Sequence, residues 1–475
     1  MPHRTQRAES DPAVVVIGGG IAGLCAAREL MNRGLRVLLL ERSDAFGGCV
    51  TTHELAGFTL DAGAESFSTR SDTVPGLARE LGLGELIVAP NPVGAWIQLP
   101  GTDPLHQALP LPATGILGIP ADVRDPDIVK AIGRAGAVRA SLDRVLPLGG
   151  LVKQKNLSLG EVVRHRMGVD VLTRLVAPVV SGVFSADPDD LDVDSVAPGL
   201  RAAMKQHGSL GAAVGALRNA APAGSTVGGL SGGMGQLTTA LVASLREGGA
   251  ELAAGETVLT LARGIATGWD ITTASRHLHA RGLVVATDGP AAVDLLGRTL
   301  PALADERPAV VPGVALVTLV VDLPELDAHP RGTGVLVAAG AQGVTAKALT
   351  HATAKWDWLA DQAGPGSHVL RLSYGRAGEA GGWTDEELHR LALTDVSVLL
   401  GTPVSDSDVV DWDVVRWRNA LPHASVGHRD RVARIRAATG EQSLEVTGAW
   451  LAGTGLVSVI DDARRRGAAL ADRLV

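Results

Sequence analysis

Three glycines and one acid carry the clearest chemistry in this chain. Gly18, Gly20 and Gly23 form a G-x-G-x-x-G pattern, and Glu41 follows at the end of the next apolar run. In that order these residues suit a dinucleotide. Gly18 permits a tight turn, Gly20 lets a pyrophosphate approach bare backbone, and Gly23 lets a helix pack close to a strand. Ile21 and Ala22 open that helix, where free N–H groups and the positive end of the dipole favour phosphate. A carboxylate at Glu41 accepts ribose hydroxyls and repels a 2′-phosphate. Other reactive residue types are sparse. His277 and His279 share one face of a strand, but no third ligand lies nearby, so no metal site is expected. Cys25 falls inside the first helix and reads as packing. Two cysteines cannot build a disulfide framework or a four-cysteine zinc site. No Ser/His/Asp arrangement stands out.

The elements that must position the glycines are legible beside them. Val14–Ile17 is a continuous β-branched run, as in a buried parallel strand. Leu24, Ala27, Leu30 and Met31 predict a helix over 21–33, with Gly34 where a helix-ending glycine belongs. Residues 36–40 predict a second strand that Glu41 ends, and 283–287 predict another. Residues 120–220 read as helical, with apolar spacing at Leu172, Leu175 and Val176. Residues 310–375, rich in Val, Leu and Thr, read as strands. Gly224, Ser225 and the glycines of 228–233 mark a crossing between domains, which leaves a cleft where ligands commonly bind.

The chain has 475 residues, enough for about three domain-sized units at roughly 150 residues each. Apolar residues are 46% and charged residues 20%, an ordinary globular balance. Lys+Arg is 43 against 51 for Asp+Glu, so there is no basic footprint and no nucleic-acid partner is expected. The apolar stretch 13–24 follows Arg4 and Arg7, but its internal glycines and the following Arg28 and Glu29 argue against an export signal. The apolar run 309–321 contains Pro312 and Gly313 and falls short of the ~20 residues of a spanning helix. A cytoplasmic chain with no transmembrane span is expected, with peripheral membrane contact left open.

Beyond Glu41 the motifs resemble those of a known family. Gly47 and Gly48 are similar to the GG motif of the FAD-dependent amine-oxidase-like superfamily, with Cys49 where Arg or Lys is common. The stretch 57–67 (GFTLDAGAESF) resembles the "GF…GPxSF" loop of the bacterial protoporphyrinogen/coproporphyrinogen oxidases, with Ala64 for Pro. Ser158, Leu159, Gly160 and Glu161, then Arg166 and Gly168, resemble the "SLGEFxxxRxG" helix. Residues 178–191 resemble "PxxSGVYAGDPxxLS", and Gly232, Gly233, Met234 and Leu237 match "GGMxxL". Trp417 to Pro422 with Gly427 and His428 resemble "RWxxALPxYxxGH", and Gly448, Ala449 and Trp450 resemble the final cofactor-binding strand.

The resemblance implies an α/β fold. A discontinuous Rossmann-like FAD domain (10–90, 225–300, 440–475) would join an α+β substrate domain (91–120, 301–439) carrying a helical subdomain (121–224). It implies FAD held noncovalently by Gly18, Gly20, Ile21, Ala22, Gly23, Glu41, Arg42, Gly47, Gly48, Gly63, Ala64, Glu65 and Ser66. Val258 would lie against adenine, and Trp450, Gly453, Val459 and Ile460 near the other end. The last of these stand in an eroded copy of the family's "GVGIPDCI" segment. The implied reaction is oxygen-dependent, six-electron oxidation of coproporphyrinogen III in haem biosynthesis. Three hydrides pass to flavin N5 and hydrogen peroxide is released, with no protein group as catalyst. Propionates favour basic anchors. Arg70 and Lys355 are such candidates or else solvated charges; Trp96, Trp356 and Trp417 line a macrocycle or else fill the core. Protoporphyrinogen IX as substrate stays open, as do an amine oxidase and a non-catalytic FAD carrier. Photoreactive porphyrins suggest direct handover to a ferrochelatase.

Overall fold

The structure, a computed structural model, describes residues 12–101, 107–112, 115–220, 227–264, 267–308, 313–376, 382–418, 424–440 and 442–475. Arg4, Arg7, Gly224, Ser225, residues 309–312 of the apolar run, and Asn419 to Pro422 of the late motif lie outside them. The fold is mixed α/β.

One sheet has five strands in the order 251–253, 37–40, 14–17, 282–285, 444–446, every neighbouring pair parallel. Val14–Ile17, Val37–Leu40 and Gly282–Val285 are buried throughout, as a parallel sheet covered on both faces requires. On one face Leu24, Leu30, Leu241 and Ile460 pack beneath the sheet, from helices Ile21–Asn32, Gly235–Glu247 and Leu456–Leu474. The other face packs against the three-stranded sheet of Val258–Arg263, Trp269–Thr273 and His277–Ala280, and helix Gly289–Leu296. The first helix ends as its glycine predicts. Gly34 has φ of 81°, and the Leu35 N–H turns back to the Leu30 carbonyl at 3.2 Å.

A second sheet has seven strands in the order 409–417, 314–322, 367–374, 348–351, 334–337, 96–98, 108–110. Alternation along Ser367–Tyr374 splits its faces. Leu370, Leu372 and Tyr374 join Leu388, Ala392 and Val396 of helix Asp385–Leu400, while Arg371 points to the opposite side. Residues 310–375 are therefore not all strand: Ala352–Lys355 and Asp357–Ala363 are short helices. The 120–220 region is helical around its own core, and Leu172–Val176 takes the wider π form with Leu172, Leu175 and Val176 buried. The "SLGE" residues have a local job there. The Ser158 hydroxyl accepts from the Glu161 N–H at 3.0 Å and Glu161 accepts from the Ser158 N–H at 3.1 Å, a capping box. Arg166 is fully buried on Asp143 at 2.6 Å, a structural pair.

Candidate functional site

The site begins where the chain leaves Val14–Ile17, at the carboxyl edge of the parallel sheet between strands on either side. That is the position at which open α/β sheets bind ligands. The three glycines differ there. A Cβ at Gly18 would sit 2.7 Å from the Ala286 carbonyl oxygen, and one at Gly23 would sit 1.8 Å from that of Gly18. Both are excluded by backbone. A Cβ at Gly20 meets nothing within 4 Å, so bare backbone faces open space. Gly20 is also the N-cap of the helix, with no side chain capping it, so the first N–H groups at Ile21 and Ala22 are left for an anion. The Glu41 carboxylate accepts from the Gly19 N–H at 2.6 Å and the Ser43 N–H at 2.8 Å. Arg42 beside it is exposed.

From this cradle a series of loops steps along the crevice. Gly47 donates to the Gly19 carbonyl at 2.8 Å, and a Cβ at Gly48 would lie 3.4 Å from the Gly20 Cα. Gly47 (φ 116°) and Gly48 (φ 58°) hold backbone shapes that favour glycine. The next residue, Cys49, has an exposed side chain yet sits deep in the protein mass, and burial pushes its thiol up. Its carbonyl accepts from the Ala64 N–H at 2.9 Å, and a Cβ at Gly63 would sit 2.2 Å from the same oxygen. Gly63 and Ala64 therefore lie against the 47–49 turn, in line with the glycines that precede it. On the other side the Gly255 and Glu256 N–H groups donate to the Ser43 and Glu41 carbonyls at 2.9 and 2.8 Å, bringing half-buried Val258 towards the acid.

The seven-stranded sheet grips the 61–65 loop. Arg371 Nη1 donates to the carbonyls of Asp61 and Gly63, each at 3.0 Å, and its Nη2 meets Glu65 Oε2 at 2.6 Å. Lys355 Nζ reaches Glu65 Oε1 at 2.6 Å, and Trp417 Nε1 donates to the Ala62 carbonyl at 2.7 Å. Burial alone would raise the Glu65 carboxyl; Arg371 and Lys355 override it and bring it down to about 2. Asp61 goes the other way. Burial pushes it up to about 6, although the Met234 and Gly235 N–H groups and Arg371 favour its charged form.

The remaining sequence candidates are dispersed. Arg70 is exposed just past the gripped loop. Lys355 spends its charge on Glu65 and lies 5.0 Å from the Trp356 ring centroid. Trp356 is buried beneath Gly229, where a Cβ would strike its ring at 2.7 Å. Trp96 belongs to a different packing group and carries the Arg331 guanidinium over its ring at 4.5 Å. Trp450 is buried, its indole N–H without a hydrogen-bond partner among the described residues, and Gly453 (φ 100°) faces open space like Gly20. Val459 and Ile460 lie in the first turns of helix Leu456–Leu474, both buried. The Val459 N–H already bonds the Gly455 carbonyl, so the free donors of that helix are one turn earlier, at 456–458. His277 and His279 face Thr272 and Asp270, and no group of three metal-ligating side chains forms among the described residues. Arg371 and Asp61 were not candidates from the sequence. An arginine between two leucines of a strand reads as an ordinary solvent-facing position.

The glycine cradle, the open approach at Gly20 and the acid at Glu41 fit the phosphates and ribose of a flavin dinucleotide. Among the described residues no helix is long and apolar enough to cross a membrane. Comparison with known proteins agrees with a flavin site. Residues 21–475 match the family described as flavin containing amine oxidoreductase. The coproporphyrinogen III oxidase of Propionibacterium freudenreichii is 30% identical over 95% of this chain and 89% of its own length. That of Mycobacterium tuberculosis is 31% identical over 95% of both chains. A crystal structure from Exiguobacterium sp. 255-15, assigned as a protoporphyrinogen oxidase, superposes with a TM-score of 0.82 at 25% identity, covering 97% of this chain and 98% of that one. The chain belongs to the flavin containing amine oxidoreductase family, and its similarity within that family runs over nearly its whole length to bacterial coproporphyrinogen III oxidases.

Proposed function

We propose that this chain oxidises coproporphyrinogen III to coproporphyrin III with noncovalently held FAD. Three two-electron steps remove six electrons and six protons from the macrocycle, and three molecules of oxygen leave as hydrogen peroxide. The observation that carries the reading is the continuous path from Gly20 through Gly47 and Gly48 to the gripped loop at Gly63, Ala64, Glu65 and Ser66. It supports a long ligand lying from the parallel sheet to the face of the larger one. FAD, when bound there, would supply the hydride acceptor and the route by which electrons reach oxygen.

The chain's own residues bind and orient. The backbone at Gly18, Gly20, Ile21, Ala22 and Gly23 takes the pyrophosphate, and Glu41 the ribose. Val258 lies on the adenine side; Trp450, Gly453 and the opening turn of the last helix serve the other end. Arg70, exposed beyond the loop, anchors a propionate. The names of the relatives support the tetrapropionate substrate. The Exiguobacterium structure keeps protoporphyrinogen IX as the second reading.

The test is anaerobic mixing of the yellow holoenzyme with each porphyrinogen, following flavin bleaching. Faster bleaching by coproporphyrinogen III is the expected result. Faster bleaching by protoporphyrinogen IX would move the enzyme to the dipropionate route. No bleaching by either, with bleaching by a monoamine, would return it to the amine oxidases. In a coupled assay with a ferrochelatase we expect handover without release of free porphyrin.

A further inference from the structure

We propose that Arg371, with Trp417, is a positioning residue that fixes residues 61–65 against the bound flavin. This rests on the proposed cofactor reading but not on the choice of substrate. The loop is held from both sides. Towards the cradle, Ala64 bonds the Cys49 carbonyl and Gly63 is pressed against it. Towards the large sheet, three successive carbonyls, of Asp61, Ala62 and Gly63, are each taken by a side chain. Arg371 takes the first and third and also the Glu65 carboxylate; Trp417 takes the second.

The chemistry of the guanidinium explains why one residue does this. Its donors lie in a rigid planar fork, so a single side chain fixes two backbone oxygens and a carboxylate in one geometry. A lysine offers a point charge on a flexible stem and would hold the ion pair without the fork. Lys355 completes the charge balance at Glu65 from the other side, leaving the carboxylate ionised and immobile. Asp61 ties the same loop to the cofactor side, since its Oδ1 accepts from the Gly235 N–H at 3.2 Å at the start of helix Gly235–Glu247. The loop thus joins the flavin-binding sheet to the substrate-side sheet, and Arg371 sets its height. Loop height matters because hydride transfer tolerates little error in donor–acceptor distance.

The test uses holoenzyme variants Arg371→Met, Arg371→Lys and Trp417→Phe with two readouts. The visible flavin spectrum is recorded without any porphyrinogen, so an error in the substrate reading leaves it interpretable. Anaerobic bleaching then gives the reduction rate, and aerobic turnover gives KM. Arg371→Met is expected to retain FAD, shift and blur the flavin band, and slow bleaching about 10- to 100-fold with KM within about twofold. Arg371→Lys should recover part of both. A wild-type spectrum and rate in Arg371→Met would overturn the proposal. So would a raised KM at full rate, which would make Arg371 a substrate anchor. Should Arg371→Met not fold, Trp417→Phe and Arg371→Lys decide: a displaced spectrum with bleaching slowed about 3- to 10-fold supports positioning, and wild-type behaviour in both rejects it. If wild type itself is not bleached by either porphyrinogen, only the substrate reading fails, and the spectra still decide this one.

Discussion

Arg371 and Glu65 meet at 2.6 Å across the junction of two sheets, and Lys355 closes on the same carboxylate from its other oxygen at 2.6 Å. All three side chains are largely buried, at 13%, 16% and 14% exposure, so the cluster is a fixed part of the crevice wall rather than a surface pair. Removing one cation leaves a buried carboxylate half-compensated. Lys355→Met should therefore cost about 1–3 kcal/mol of stability while leaving KM for coproporphyrinogen III within about twofold. Chemical denaturation and steady-state kinetics check it. A tenfold rise in KM with stability intact would instead make Lys355 the propionate anchor that its charge alone suggests.

The glycines of the cradle separate into two kinds, and substitution should separate them too. Gly20 has φ −72° and ψ 177°, which any residue can adopt, and open space where its Cβ would go. Gly20→Ala should change apoprotein stability by less than about 1 kcal/mol, because the poorer N-cap offsets the stiffer unfolded chain, yet strip it of FAD. Gly23→Ala drives a Cβ onto the Gly18 carbonyl and should fail to fold. Isolation of a yellow Gly20→Ala protein with wild-type FAD affinity would remove the phosphate from that cradle.

These two sites show what a sequence can and cannot disclose. The cradle is local: strand, glycines, helix and acid lie within residues 14–41, and their order alone carries the geometry. The clamp is not. Arg371 acts on Asp61 across 310 residues and Trp417 on Ala62 across 355. Neither periodicity nor motif spacing encodes which loop will face a strand once two sheets pack. Lys355 and Glu65 were each visible as candidates, for substrate and for cofactor, but their pairing across 290 residues was not. The "SLGE" and "RxG" residues were legible as a motif, and the structure resolves them into a helix cap and a buried ion pair. At Val459 and Ile460 the motif is legible only in part, and the helix that starts at Leu456 takes the Val459 N–H into its own bond with the Gly455 carbonyl.

Arg70 gives a test with little structural risk. Its side chain is exposed, and its backbone N–H makes only a long 3.4 Å contact to the Ser68 hydroxyl. Arg70→Ala should leave stability and the flavin spectrum unchanged. Losing a charge-assisted contact to one propionate should raise KM for coproporphyrinogen III about 5- to 20-fold with kcat kept. An unchanged KM would assign Arg70 to solvent and move the anchor elsewhere on the crevice rim.

Two buried histidines of the seven-stranded sheet, His351 and His368, make stability depend on pH. His351 is fully buried; its Nε2 lies 3.0 Å from His368 Nδ1, and its Nδ1 has no hydrogen-bond partner among the described residues. His329 stands edge-on at 5.6 Å, Thr353 also reaches His368 at 3.3 Å, and Asp327 lies 3.2 Å from His368 Nε2. Burial, reinforced by the two neighbouring imidazoles, lowers His351 from 6.5 to about 3. A base held neutral in this way contributes stability that is complete above pH 6.5 and is lost as pH falls towards 3. At pH 5.5 the loss is about 1.4 kcal/mol. Asp61 works in the opposite direction, because a carboxyl raised from 3.8 to about 6 costs least below 3.8 and most above 6. Glu65, lowered to about 2, costs stability only below 4.5. Burial also lowers His368 and His428 and raises Asp395, so the wild-type curve between pH 7.5 and 5.5 mixes several opposed effects. Comparison with His351→Leu cancels the groups that lie apart from it and leaves the contribution of His351 and its contact with His368: the stability difference between the two proteins should shift in the variant's favour by about 1.4 kcal/mol over that interval. A difference that stays flat would mean that His351 takes up a proton within the fold, with Asp327 as the nearest carboxylate to balance it through His368.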